Sequence, residues 1–269
     1  MLLPLKDNNP LKYIRFQYIT VAMIGVCIAV FVYQASLGGR ADRAFIFGFG
    51  AIPAVVFGSI DLPAELLHVP AVVSLLTSMF LHGGFMHLFG NLLFLWVLGD
   101  NVEDALGHKR FIIFYLACGF IAALAHAIAE PTSQLPMIGA SGAISGVIGA
   151  YLMVHPKARI KTLVGYLILS LPAWVVLGLW IGLQFFSASA ATGSEGGGVA
   201  WWAHIGGFIA GAILIVPMRR KGLALFDRDK KRFELWLGTE KAPKRPRKRR
   251  SRILTSGDKR KTPWGSWRK

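Results

Sequence analysis

The sequence predicts an all-α, polytopic membrane helix bundle with a six-transmembrane-helix core, and three observations predict it. Of 269 residues, 54% are hydrophobic and only 16% are charged, well below the ~25% charged residues usual in soluble domains; the mean hydropathy is +0.51. Apolar stretches of helical length recur at about residues 16–36, 85–99, 111–129, 141–155, 162–185 and 200–217, several of them short against the ~20 residues that cross a bilayer upright. Charge is segregated: residues 219–269 hold 20 of the 30 Lys+Arg and 5 of the 14 Asp+Glu, which leaves the first 218 residues almost neutral.

Residues 1–15 form an N-terminal arm carrying Lys6, Lys12 and Arg15. The apolar run after it exceeds the ~7–15 residues of a signal-peptide core, so it is expected to be a retained first span. From Ala44 to Gly84 the chain is apolar but interrupted by Gly48, Gly50, Pro53, Gly58, Asp61, Pro63 and Pro70, which predicts a long loop in or on the membrane. Short cytoplasmic loops collect Lys and Arg. With six spans over 16–217 and both termini inside, the inner segments carry the arm's bases, then Lys109 and Arg110, then Lys157, Arg159 and Lys161; the outer segments carry only Arg40 and Arg43. A seventh span between Ala44 and Gly84 would destroy that pattern. Residues 218–269 form a basic cytoplasmic tail with an amphipathic segment around Leu223–Leu237 and the run KAPKRPRKRRSR, expected to be solvated and drawn to anionic lipid. No zinc knuckle, RNP motif or helix-turn-helix accompanies it, so nucleic acid is not signalled as a partner. Cys27 and Cys118 lie apart in apolar stretches and read as small core residues, with no disulfide framework or metal site and no cofactor expected.

That topology gathers polar residues at one depth. The fourth span enters from the outer side, so Ser141 of IGASGAISG falls in its first turn. His204 of VAWWAHIGGFIAG and His82, His87 and Asn91 of FLHGGFMHLFGN lie near the outer ends of two further spans. From Ser141 to His155 is about 22 Å of helix at ~1.5 Å per residue, against a hydrocarbon core of ~30 Å. Ser141 is therefore submerged, and the preceding AEPTSQLPMIGA must descend as irregular backbone, which is tolerated where protein buries it or water reaches it. A wet cavity suits a Ser–His pair, in which the imidazole accepts the hydroxyl proton and later protonates the leaving amine. The backbone N–H of Ser141, with His87 and Asn91 at i, i+4 on one helix face, could serve the oxyanion. Gly142/Gly146 and Gly207/Gly211 are small-xxx-small pairs that let backbones approach.

At these residues the chain resembles the rhomboid family of intramembrane serine proteases. GASG (Gly139–Gly142), AHIGGFIAG (Ala203–Gly211), HGGFMHLFGN (His82–Asn91) and LGDNVE (Leu98–Glu103) occur in the order and spacing of the six-helix rhomboid core. The resemblance implies Ser141 as nucleophile, His204 as base, His87 and Asn91 at the oxyanion, Gly139, Gly142, Gly207 and Gly211 as structural support, and Glu103 as an anchor for the long outer loop. It also implies transmembrane proteins as substrates, and a bacterial plasma membrane is the expected location. Two departures stand out. Position 145 is Ser where many relatives carry an aromatic that stacks on the catalytic histidine, so His204 must be held otherwise, with Trp201 or Trp202 as candidates. The first outer loop lacks the Trp-Arg pair of the best-known bacterial relatives.

Bland readings weigh against single residues: Ser141, Ser145 and Asn91 could be helix-packing groups, and His82 a structural hydrogen-bonder. His68, His108, His126 and His155 carry no assigned chemistry. With no acidic residue in the fourth or sixth span, a dyad rather than a triad is expected. No HExxH and no GxGD motif supports another hydrolase. The rival reading is a catalytically silent rhomboid-like protein that binds membrane helices; a transporter would need paired broken spans or midplane charges.

Overall fold

Most of the uninterrupted apolar stretches fold as long helices, and the Gly- and Pro-interrupted region folds as shorter helices and turns. The computed structural model describes residues 2–190 and 200–227; the basic tail beyond 227 lies outside the described residues. In chain order come β1 (Leu2–Asp7), α1 (Tyr18–Leu37), α2 (Gly39–Phe49), α3 (Pro53–Val56), α4 (Ala71–Thr77), α5 (Phe85–Leu106), α6 (His108–Ala129), α7 (Ser141–Val154), β2 (Arg159–Val164), β3 (Leu167–Pro172), α8 (Ala173–Ala190) and α9 (Trp201–Met218), with 3-10 turns at Ala64–Leu66 and Ser78–Phe80. Among the described residues, α1, α5, α6, α8 and α9 are long and apolar enough to cross a membrane, whereas α7 is apolar but spans only 14 residues. They present large apolar side chains outward, such as Val32, Ile113, Leu183, Phe186 and Ile213, as helices facing hydrocarbon should.

The shortest of these helices is the most enclosed. From Gly142 to Tyr151 every residue of α7 is buried, packed on α5, α6 and α9. The glycines decide how close α9 comes. A Cβ at Gly207 would meet the carbonyl oxygen of Gly142, and one at Gly211 the carbonyl oxygen of Gly146. Gly142 and Gly146 themselves point toward α6, where a Cβ would lie 2.7 Å from Ala122 Cβ and 2.5 Å from Cys118 Cβ. Two α7 glycines thus admit two neighbours at once.

The expected span over 162–185 begins too early. Residues 159–172 form a β-hairpin, turned at Gly165 with φ +60°, as a two-residue turn with glycine first requires. Its aliphatic run suits a strand or a buried helix equally well by periodicity. The partner that decides the matter comes from the other end of the chain: β1 pairs antiparallel with β2, with Leu2 opposite Val164. So the N-terminal arm contributes a strand. Asp7 also accepts a hydrogen bond from Tyr151 at 2.6 Å, and burial raises its carboxyl above the usual range against the opposing pull of that bond.

The same end of the bundle holds the buried acids. Glu103, fully buried, accepts from Ile19 N at 3.1 Å, Thr20 N at 2.8 Å and Thr20 Oγ1 at 2.7 Å, and contacts His108 Nδ1. It caps the first turn of α1, whose amides have no intrahelical acceptors. This corrects the expectation for Glu103, which anchors α1 at the end of α5 remote from the long loop. Asp104 similarly accepts from the amides of Lys12, Tyr13 and Ile14. The first residues past α9 are tied down as well: Phe226 N donates to Met153 O at 2.7 Å and Asp227 N to Val154 O at 3.1 Å, satisfying carbonyls at the end of α7. Residues 219–227 belong to the bundle, not to a free tail.

Gly211→Ala should force α7 and α9 apart and cost about 1–3 kcal/mol, the usual price of overpacking, read as a lower unfolding temperature in detergent. Gly178→Ala and Gly182→Ala, where a Cβ meets nothing within 4 Å, should leave it unchanged or raise it.

Candidate active site

Where α9 crosses α7 most closely, the first residue of one helix faces the first turns of the other. Ser141 opens α7, so its backbone N–H has no acceptor within the helix. His204 is buried at 9% exposure, with Nε2 2.8 Å from Ser141 Oγ. The hydroxyl of Ser145, one turn on, donates to Ser141 O at 2.6 Å and is engaged within its own helix.

A residue absent from the sequence reading completes the surroundings. His204 Nδ1 lies 2.7 Å from Gln184 Oε1, and Gln184 Nε2 donates to Trp180 O at 3.2 Å. The Trp180 ring lies 5.7 Å from the His204 ring at 43°, and Trp201 approaches edge-on at 6.1 Å. One expected candidate, Trp201, is therefore in ring contact with His204, joined by a residue from α8. The signal for Gln184 was its amide alone in the apolar run LWIGLQFF, one turn past Trp180.

Ser141 and His204 line a cavity of about 450 Å³ with His87, Asn91, Gly139 and Trp180. Asn91 Nδ2 is buried and has no hydrogen-bond partner among the described residues, a state that normally costs free energy unless water or a ligand relieves it. Gly83 N donates to His87 Nδ1 at 3.4 Å, which leaves Nε2 of that ring as the N–H donor. Gly139 sits directly against it. Its φ is +121°, and a Cβ there would lie 2.8 Å from His87 Nε2, so only glycine passes between His87 and α7. His82 stands apart from the cavity. Its backbone exchanges hydrogen bonds with the Gln34 side chain, and burial, with His87 beside it, pushes its imidazole down to about 4.

The descent to Ser141 is irregular, as expected, and its backbone is satisfied by the long loop. Ala51 and Met137 exchange both amide bonds, at 3.1 and 2.8 Å, Ala54 N donates to Ser133 O, and Gly139 N donates to Ser78 O at 2.9 Å. The loop at residues 39–84 is thus the wall against which the entry to α7 is built.

The model of the Rhomboid domain family matches residues 70–221, which includes every cavity residue named above. Among curated proteins, the chain is 36% identical over 146 residues to the Rhomboid protease GluP of Bacillus subtilis, covering 53% of this chain and 26% of that relative. It is 30% identical over 155 residues to the mitochondrial Rhomboid protein 1 of Saccharomyces cerevisiae, covering 54% and 42%. It is 29% identical over 139 residues to the mitochondrial Presenilin-associated rhomboid-like protein A of Danio rerio, covering 48% and 36%. The matched part spans less than half the length of each of these relatives.

Replacing Asn91 by Leu, of similar size, removes a buried unpaired donor and should leave the unfolding temperature unchanged or higher. A fall of several degrees would make Asn91 a helix–helix hydrogen-bonder and take it out of the cavity's chemistry.

Proposed function

Because the chain belongs to the rhomboid family, we propose that it is an intramembrane serine endopeptidase in which Ser141 is the nucleophile and His204 the general base. The observation that carries this reading is the 2.8 Å approach of His204 Nε2 to Ser141 Oγ inside a cavity that also holds an unpaired amide. As Oγ attacks a peptide carbonyl carbon, Nε2 takes its proton. The tetrahedral oxyanion is met by Ser141 N–H, Asn91 Nδ2 and His87 Nε2–H, donors fixed before the charge develops. The imidazolium then protonates the leaving amine, and water enters by the same base to hydrolyse the acyl-enzyme. Removing one oxyanion donor typically costs ~10²–10³ in rate. Gly139, Gly142, Gly207 and Gly211 serve this arrangement by allowing close approach.

The chain is an integral, multi-pass membrane protein. On the proposed reading its substrates are transmembrane segments of other proteins. A helical peptide bond is shielded by its own turn, so the substrate must unwind beside Ser141 before attack. Lys and Arg concentrated beside the arm, between α5 and α6 and after α7 support cytoplasmic termini and a cavity opening to the opposite side; a bacterial plasma membrane is the proposed location.

In liposomes with a single-span reporter, the wild type should cleave, and Ser141→Ala and His204→Ala should each lose at least ~10³-fold with unfolding temperatures unchanged. Equal cleavage by all three rejects the dyad; reporter binding without cleavage by the wild type transfers the reading to a silent helix-binding protein. Anionic lipid is the proposed partner of the basic tail. Deleting residues 228–269, which spares the bonds made by Phe226 and Asp227, should weaken binding to phosphatidylglycerol vesicles relative to phosphatidylcholine while preserving hydrolysis in detergent. Unchanged vesicle binding would rule that partner out.

A further inference from the structure

We propose that Gln184 is a positioning residue for His204: its amide oxygen holds the imidazole in the tautomer that leaves Nε2 free to take the Ser141 proton. The proposal rests on the Ser–His reading above and extends it to a third side chain on a third helix.

The geometry is a chain of three hydrogen bonds, each fixing the next. An imidazole that is to accept a proton at Nε2 must carry its own at Nδ1. The atom facing Nδ1, at 2.7 Å, is Gln184 Oε1, which can only accept. An amide can be reversed end for end, but here the reversal is blocked. Gln184 Nε2 faces the backbone carbonyl of Trp180 at 3.2 Å, so turning the amide would set oxygen against oxygen at that end. The helix backbone thus orients the amide, the amide selects the imidazole tautomer, and the tautomer points a lone pair at Ser141 Oγ, 2.8 Å away.

Burial and packing make the selection effective. Gln184 is 7% exposed and His204 9% exposed, so little water competes for either end. Trp180 and Trp201 stand against the imidazole at 5.7 and 6.1 Å and restrict its rotation. Trp180 and Gln184 are spaced i, i+4 on α8, so one helix face supplies both the wall and the acceptor. A carboxylate in this place would add a buried charge within the apolar bundle, at high cost; a neutral amide orients the ring without one.

The test compares Gln184→Leu and Gln184→Glu with wild type in one reconstituted assay, folding being followed by unfolding temperature. Gln184→Leu cannot accept, and should lower kcat about 10–100-fold with KM little changed, the signature of a base held wrongly and not of lost substrate binding. In 15N-histidine-labelled protein, His204 should change from a single Nδ1–H tautomer to a mixture. Gln184→Glu restores the acceptor with a charge, which favours the imidazolium. Hydrolysis should return at alkaline pH, and the acid limb of the kcat/KM profile should move upward by about one unit or more. Wild-type kcat and an unchanged tautomer in Gln184→Leu overturn the proposal. Should that variant fail to fold, an unmoved acid limb in folded Gln184→Glu overturns it equally. Full activity of Gln184→Leu beside an inactive Ser141→Ala sinks the role of Gln184 alone, whereas full activity of Ser141→Ala sinks the dyad reading beneath it.

Discussion

The interaction on which the rest of the molecule depends is the contact of two helix backbones at the α7–α9 crossing. Gly207 and Gly211 lie so near the carbonyl oxygens of Gly142 and Gly146 that no side chain fits between them. Without that approach Ser141 and His204, both at the beginnings of their helices, would be held apart by ordinary side-chain packing. In lipid, helices gain little from burying apolar surface against one another, so close van der Waals contact between small residues carries more of the association. The crossing is therefore both the structural centre of the bundle and the device that sets the 2.8 Å separation at the site.

Many polar groups away from water are paired within the bundle. At the end where α1 begins, Glu103 and Asp104 spend their lone pairs on backbone amides that have no helical acceptors. At the opposite end, the irregular strand leading to Ser141 finds its partners in the long loop. Asn91 Nδ2, like His82 Nε2, the Tyr115 hydroxyl and His126 Nδ1, is buried without a partner among the described residues, and of these four residues it is Asn91 that lines the cavity.

Much of this is legible in the sequence. Most of the helices follow from apolar stretches of the right length, and glycine spacing and helix direction support the meeting of Ser141 with His204 that the family resemblance implies. What escaped did so for identifiable reasons. The hairpin at 159–172 is aliphatic enough to pass for membrane helix, and only a strand more than 150 residues away in the chain reveals it. A lone glutamine such as Gln184 belongs to no motif, and its role appears only when α8 is set beside α9. Glu103 was read as an anchor for the long outer loop, whereas its hydrogen-bond donors lie on α1, which a local motif does not disclose.

The pairing of β1 with β2 carries a consequence for how the protein is made. The strand β1 is synthesised before any of the helices described here, yet the hairpin it joins is completed only at Pro172, after most of the helical segments have been synthesised. At ~5–20 residues per second, residues 2–7 wait on the order of ten seconds or longer with their hydrogen bonds to water. Sheet closure is thus a late, long-range event, and its completion marks a chain whose first seven helices have already been delivered.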